Sequence, residues 1–187
     1  MKNRTYLVNM IALNIIWTSV SFTHYMIAYY IKYIPGNIYT NVITSAASEV
    51  IAYLLSGFLG MYIGTRATFI LSFSLGAGFG VPLMFLSYNA DPLVIMACVL
   101  CTKFGVSCAF NLCYLVTAEY FPIMYSSSVF GACSFIARIA TITTPMVAEI
   151  TPPYPMLIYS AFCIVSLFST LILKKENQFK NSVDNSF

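Results

Sequence analysis

Six uninterrupted apolar stretches set the terms for this chain: Tyr6–Ile31, Asn41–Ile63, Ala67–Ser87, Pro92–Val116, Val129–Ile150 and Met156–Leu173. Each runs about 18 to 26 residues, the length an α-helix needs to cross a bilayer. In hydrocarbon every backbone N–H and C=O must be satisfied within the chain, so these runs are expected as helices. Short polar breaks separate them: IPGN at Ile34–Asn37, GTR at Gly64–Arg66, NADP at Asn89–Pro92 and PPYP at Pro152–Pro155. The expected fold is therefore an all-α membrane protein, with a six-helix bundle over 1–173 and a polar tail over 174–187.

Composition agrees. The chain is 59% hydrophobic and 8% charged, where a soluble domain carries about a quarter charged residues. Its net charge of +3 is too small and too confined to loops and tail to suggest a nucleic-acid partner. The first run is too long for a cleavable signal and reads as a true span. Lys2, Arg4, Arg66, Lys174, Lys175 and Lys180 gather on one side of the membrane and only Lys32 on the other, which puts both termini in the cytoplasm. The plasma membrane is the expected host.

All six cysteines fall inside spans, including the Cys98-Val-Leu-Cys101 pair. Without a second ligand pair or a solvent-facing thiolate they read as small packing residues, so no metal and no cofactor are expected. One histidine, with no carboxylate pair or Ser/His arrangement in the spans, assembles no catalytic constellation, and the chain is not expected to be an enzyme.

The informative residues are the three charges well inside spans, Glu49, Lys103 and Arg138. Each is costly at mid-membrane unless it faces protein or water. Their neighbours at helical spacing are small or polar: Ser45, Ala52 and Ser56 around Glu49; Ser107, Asn111 and Tyr114 after Lys103; Ser127, Gly131, Ser134, Thr141 and Pro145 around Arg138. Spans three and six carry no charge. Four helices lining a cavity with two outside is the pattern of half a transporter. Glu49 and Lys103 fit either a helix-bracing pair or a lining pair. Two bases against one acid leave a positive surplus that something must neutralise. Gly76-Ala-Gly-Phe-Gly80 reads as a close-packing patch.

Three blocks carry a family resemblance. GNIYTNVITSAASEVIAY (Gly36–Tyr53) resembles the GNIYLNxxxxxxxEIPAY pattern of the organic cation, anion and carnitine transporters of the major facilitator superfamily. KFGVSCAFNLCYLVTAEYFP (Lys103–Pro122) is similar to KFGxxxAFxxxYxYTAELYPT, and SFIARIATITTP (Ser134–Pro145) to SxxSRxGxIxxP. Order and spacing agree over nearly the whole chain, and correspond to the C-terminal six-helix half of that fold.

The resemblance implies a secondary active or facilitative carrier of a small organic ion, completed by an N-terminal six-helix half. Its partners would be the bilayer and that ion. It places Trp17, Tyr25, Glu49, Lys103, Asn111, Tyr114, Ser134 and Arg138 at the substrate cavity, with His24 standing where the pattern has a second tyrosine. An imidazole there would make binding pH-sensitive. Arg138 occupies a position that is basic in carriers of anions and carnitine, so the expected substrate is an organic anion or a carnitine-like zwitterion. Gly64, Arg66, Glu119 and Pro122 fall in the family's gating-loop motifs. Those motifs are reduced here: Tyr62–Arg66 reads YIGTR, and Ser126 replaces an arginine. The alternatives are a transport-dead scaffold derived from such a carrier, or a sugar-type carrier of the same superfamily.

Overall fold

A computed structural model describes residues 2–33, 37–85, 91–121, 123–150 and 154–173. Its order is α1 (Lys2–Tyr30), a 3₁₀ turn (Ile31–Tyr33), α2 (Ile38–Tyr62), α3 (Thr65–Phe85), α4 (Pro92–Tyr120), α5 (Ile123–Thr141), the short α6 (Thr144–Ala148) and α7 (Tyr154–Ile172). Five of these are long and apolar enough to span a membrane. With 19 residues, α5 is also long enough at about 1.5 Å per residue, but three consecutive serines and Arg138 dilute its apolar character. The expected tail 174–187, parts of the IPGN, NADP and PPYP breaks, and Pro122 lie outside the described residues.

The helix ends have local causes. Asn37 caps α2, its Oδ1 accepting from the Tyr39 N–H at 3.0 Å. Gly64, at φ +91°, turns the chain from α2 into α3, a conformation that suits glycine. Its carbonyl accepts from the Thr68 N–H at 3.1 Å and the Thr68 hydroxyl at 2.9 Å.

The fifth span departs from expectation. Instead of one helix over 129–150, α5 begins at Ile123, ends at Thr141, and is followed by a break and α6. Pro145 is the reason: it has no N–H for the Thr141 carbonyl, and its ring would clash with that carbonyl in a continuous helix. The freed carbonyls find other donors. Ile142 and Thr143 N–H bond three residues back, to Ile139 and Ala140 carbonyls at 3.3 Å. The Thr141 and Thr143 hydroxyls donate to the Arg138 and Ala140 carbonyls, both at 2.8 Å. The fourth span also runs past Val116 to Tyr120, so Glu119 stands in the last turn of α4 and not in a loop.

Helices α1 and α4 form the centre. On one side α3 and α7 pack against them and against each other; on the other side α2 rests on α4 and α5 on α1. Helices α2 and α5 share no substantial interface, so the bundle is open between them. One core joins Leu13, Ile16 and Val20 to Phe69, Phe73, Leu112 and Val116. A second surrounds Tyr159 with Phe22, Met26, Val99 and Val106.

The closed side depends on missing side chains. A Cβ at Gly80 would lie 2.9 Å from the Tyr159 ring, and one at Gly76 3.1 Å from the Tyr159 hydroxyl. A Cβ at Gly105 would lie 2.8 Å from the Ser72 carbonyl oxygen and 2.9 Å from the Gly76 nitrogen. Backbone cannot swing away as a flexible side chain can. Gly105→Ala should therefore force α3 from α4 and destabilise by about 1–3 kcal/mol. Gly57→Ala, which meets nothing within 4 Å, should be neutral or stabilising by up to ~1 kcal/mol through helix propensity. Thermal unfolding of the two variants in one detergent checks the contrast.

Candidate functional site

The opening between α2 and α5 holds the intramembrane charges, in two groups joined through α1. In the first, the Glu49 carboxylate on α2 is approached by two other helices and by a tyrosine of its own. Lys103 Nζ on α4 lies 3.3 Å from Oε2, and His24 Nε2 on α1 lies 3.1 Å from Oε1. The Tyr53 hydroxyl, one turn along α2, donates to Oε1 at 2.6 Å. The Lys103 side chain is 7% exposed and that of Glu49 21%, so the pair is set back from the cleft surface with its acid partly wetted.

In the second group, Arg138 of α5 donates to the Tyr25 hydroxyl at 2.7 Å, its guanidinium carbon 5.6 Å from the Tyr25 ring centre. Arg138 is exposed. Among the described residues no carboxylate comes within ion-pair distance of it. The expectation put Arg138 at the middle of its span; the break before Pro145 puts it in the last turn of α5, where the helix dipole favours a cation. Its guanidinium bonds to a side chain of α1. Tyr25 adjoins His24 in sequence, and their rings sit 5.4 Å apart.

Aromatic rings fill the space between. Phe110 stacks on His24 at 4.7 Å, and Tyr114 lies 5.7 Å from Phe110 and 5.5 Å from Phe130. Trp17 is 2% exposed and backs these rings edge-on, 4.9 Å from Tyr114 and 5.4 Å from Phe130. Its indole N–H donates to the Thr117 hydroxyl at 3.2 Å. A groove of about 540 Å³ runs beside Arg138, walled by Tyr29, Phe135, Ile139 and Pro145.

Of the residues expected at the site, Glu49, Lys103, His24, Tyr25, Arg138 and Tyr114 come together. Trp17 supports them from behind. Asn111 uses its amide NH₂ to tie α4 to α2, donating to the Ser56 hydroxyl at 2.8 Å and the Tyr53 carbonyl at 3.2 Å. Ser134 is half-buried one turn before Arg138. Of the residues in gating motifs, Arg66 in the first turn of α3 donates to the Leu171 carbonyl at the end of α7. Tyr53, Phe110 and Phe130 were not expected. Tyr53 was visible as the i+4 neighbour of Glu49, and Phe110 as the i−4 neighbour of Tyr114; only the tertiary fold brings Phe130 to them.

Human organic cation/carnitine transporter 2 is 30% identical over 146 residues, 76% of this chain and 26% of that protein. Solute carrier family 22 member 6-A of Xenopus laevis is 29% identical over 161 residues, 83% of this chain and 28% of that protein. The chain belongs to the organic cation, anion and carnitine transporter family of the major facilitator superfamily. A third member, the organic cation transporter-like protein of Drosophila melanogaster, is 25% identical over 160 residues, 84% of this chain and 28% of its own length. The matched stretch thus spans about a quarter of these transporters. No protein-family model matches the chain. As a member of this family the chain is a multi-pass integral membrane protein.

The Glu49–Lys103 pair makes a direct claim on stability. Glu49→Gln leaves a buried ammonium without its counter-charge and should destabilise by on the order of 3 kcal/mol. The double change Glu49→Gln with Lys103→Met removes both charges and should recover more than half of that loss. Thermal unfolding of the three proteins in one detergent provides the comparison.

Proposed function

We propose that this chain supplies one wall of a carrier for small organic anions or zwitterions, with Arg138 as the substrate's counter-charge. The observation behind the proposal is the asymmetry of the charges. Lys103 and His24 share the Glu49 carboxylate, while Arg138 is exposed beside an apolar groove and, among the described residues, is bonded by its side chain to a tyrosine hydroxyl and to no carboxylate. A guanidinium offers a carboxylate or sulfonate a planar, bidentate set of donors. The neighbouring Tyr114, Phe110 and Phe130 offer apolar surface, and a quaternary ammonium would find cation–π contact there. Carnitine, named in the human relative, carries both groups. A bare cation would have to compete with Lys103 for Glu49.

The cleft needs a second wall, and relatives several times longer than the matched stretch accord with an N-terminal six-helix half rocking against this one. Both termini face the cytoplasm, as the one-sided lysines and arginines favour, and the host is the plasma membrane. An impermeant thiol reagent added to intact cells should label a cysteine placed at Asn89 above the wild-type background, and should not label one placed at Ser182.

The substrate assignment is tested by uptake of benzenesulfonate and benzyltrimethylammonium, with the chain expressed together with the N-terminal bundle. Losing one charged hydrogen-bonded contact costs about 1.5–3 kcal/mol, so Arg138→Lys should weaken anion uptake roughly ten- to a hundredfold. Arg138→Asp reverses the local sign and should invert the anion-to-cation ratio. An unchanged ratio in Arg138→Asp, normalised to protein at the membrane, would make the arginine a helix brace and remove the anion assignment.

A further inference from the structure

The His24 imidazole is set apart from every other polar group of the cleft by its two unlike nitrogens. Nε2 donates to Glu49 at 3.1 Å, which leaves Nδ1 as the basic nitrogen, and Nδ1 is buried with no hydrogen-bond partner. The ring is held flat on Phe110, 4.7 Å away and tilted by 15°. The groups around it come from every helix that packs on this part of α1. Helix α2 brings Glu49 and Tyr53, α4 brings Lys103 and, across Phe110, Tyr114, α5 brings Arg138 by way of Tyr25, and α6 brings the Thr144 hydroxyl, with Glu149 at its end held by Lys32. On the far face of α1, Tyr159 and Cys163 of α7 belong to the second core, where the Tyr159 hydroxyl donates to the Thr102 carbonyl.

The charge count around the ring decides what a proton there would do. Glu49 is matched by Lys103, so with neutral His24 the cleft carries one uncompensated charge, that of Arg138. A proton on Nδ1 raises the surplus to two. In a low-dielectric cleft a second unmatched cation is unfavourable, unless an anion arrives to balance it.

We propose that His24 is a proton-binding site whose occupancy is coupled to that of the anion site at Arg138, so that the carrier takes up an organic anion together with a proton. The inference rests on the anion assignment made above. The proton enters from the outer solution onto Nδ1, the anion binds Arg138 beside Tyr25, and both leave on the inner side. No bond other than N–H forms or breaks. Because linkage is reciprocal, the proton strengthens anion binding by the factor by which the anion strengthens proton binding, and couplings of this kind span about 5- to 150-fold.

The test uses the complete two-bundle transporter in proteoliposomes, with radiolabelled benzenesulfonate as probe because it stays anionic throughout the range. External pH is varied between about 7.5 and 5.5, the interval in which imidazoles change charge. Wild-type uptake should rise roughly fivefold on acidification, and a trapped pH dye should report acidification of the lumen when benzenesulfonate is added. In His24→Tyr and His24→Gln, with uptake normalised to folded protein, the pH 5.5 to pH 7.5 ratio should fall to about one and benzenesulfonate should carry no protons. Wild-type uptake that ignores pH, or variants that keep the ratio and the proton entry, would overturn the proposal and leave the anion assignment standing. Absence of benzenesulfonate uptake at either pH would overturn the anion assignment and this coupling with it. If neither variant reaches the membrane, the wild-type proton flux alone decides.

Discussion

A carboxylate inside a membrane bundle has to be matched by positive charge and hydrogen bonds from the protein itself, and for Glu49 the Lys103 ammonium supplies the charge and the His24 N–H a further donor. Lys103 of α4 and His24 of α1 approach different oxygens of the same group, so three helices are referenced to one point. Tyr53 takes part from α2 itself and thereby fixes the carboxylate rotamer. Asn111 and Cys108 repeat the α2–α4 connection, binding Tyr53 and Ala52 carbonyls through helix-to-helix contacts. Lipid offers no hydrophobic drive between helices, so register is chosen by close packing and by directed polar contacts of this kind.

The two sides of the bundle answer to different physics. Between α3, α4 and α7 the backbones approach so closely that Gly76, Gly80 and Gly105 have no room for a side chain. That side behaves as one block. Helices α2 and α5 each rest on only part of the central pair and leave a gap between them. Because α2 and α5 do not pack on each other, either can be displaced without breaking contacts with the other. The charges and the aromatic rings stand on this side, where a small displacement changes what they face.

Much of this was legible in the sequence, because the strongest signals in a membrane chain are local. Apolar length gave the helices, and the rarity of intramembrane charge singled out Glu49, Lys103 and Arg138. The limits of α5 were less legible: an apolar run starting at Val129 leaves out Ser126–Ser128, although a serine hydroxyl in a helix can bond to backbone, as Ser126 does to the Thr117 carbonyl at 3.2 Å. Tyr53 counts as apolar on a hydropathy scale and so did not register as a ligand of Glu49. The partnership of His24 with Glu49 crosses two helices and a turn. No periodicity records it; only the tertiary fold brings the two together.

The break before Pro145 bears on the chemistry more than on the fold. A continuous helix over 129–150 would have placed Arg138 among mid-helix carbonyls already bonded, with nothing in the backbone to stabilise its charge. Ending α5 at Thr141 turns the nearby carbonyls into the negative end of a helix, which steadies a cation by about 0.3–1 kcal/mol. That is enough to ease the arginine's exposure in the cleft and far less than a carboxylate partner would supply. The guanidinium is thus held by the dipole and by the Tyr25 hydroxyl, yet keeps most of its capacity to bind an anion. Pro145 therefore has a dual effect here: it breaks the helix, and it leaves Arg138 in a last turn whose dipole favours a cation.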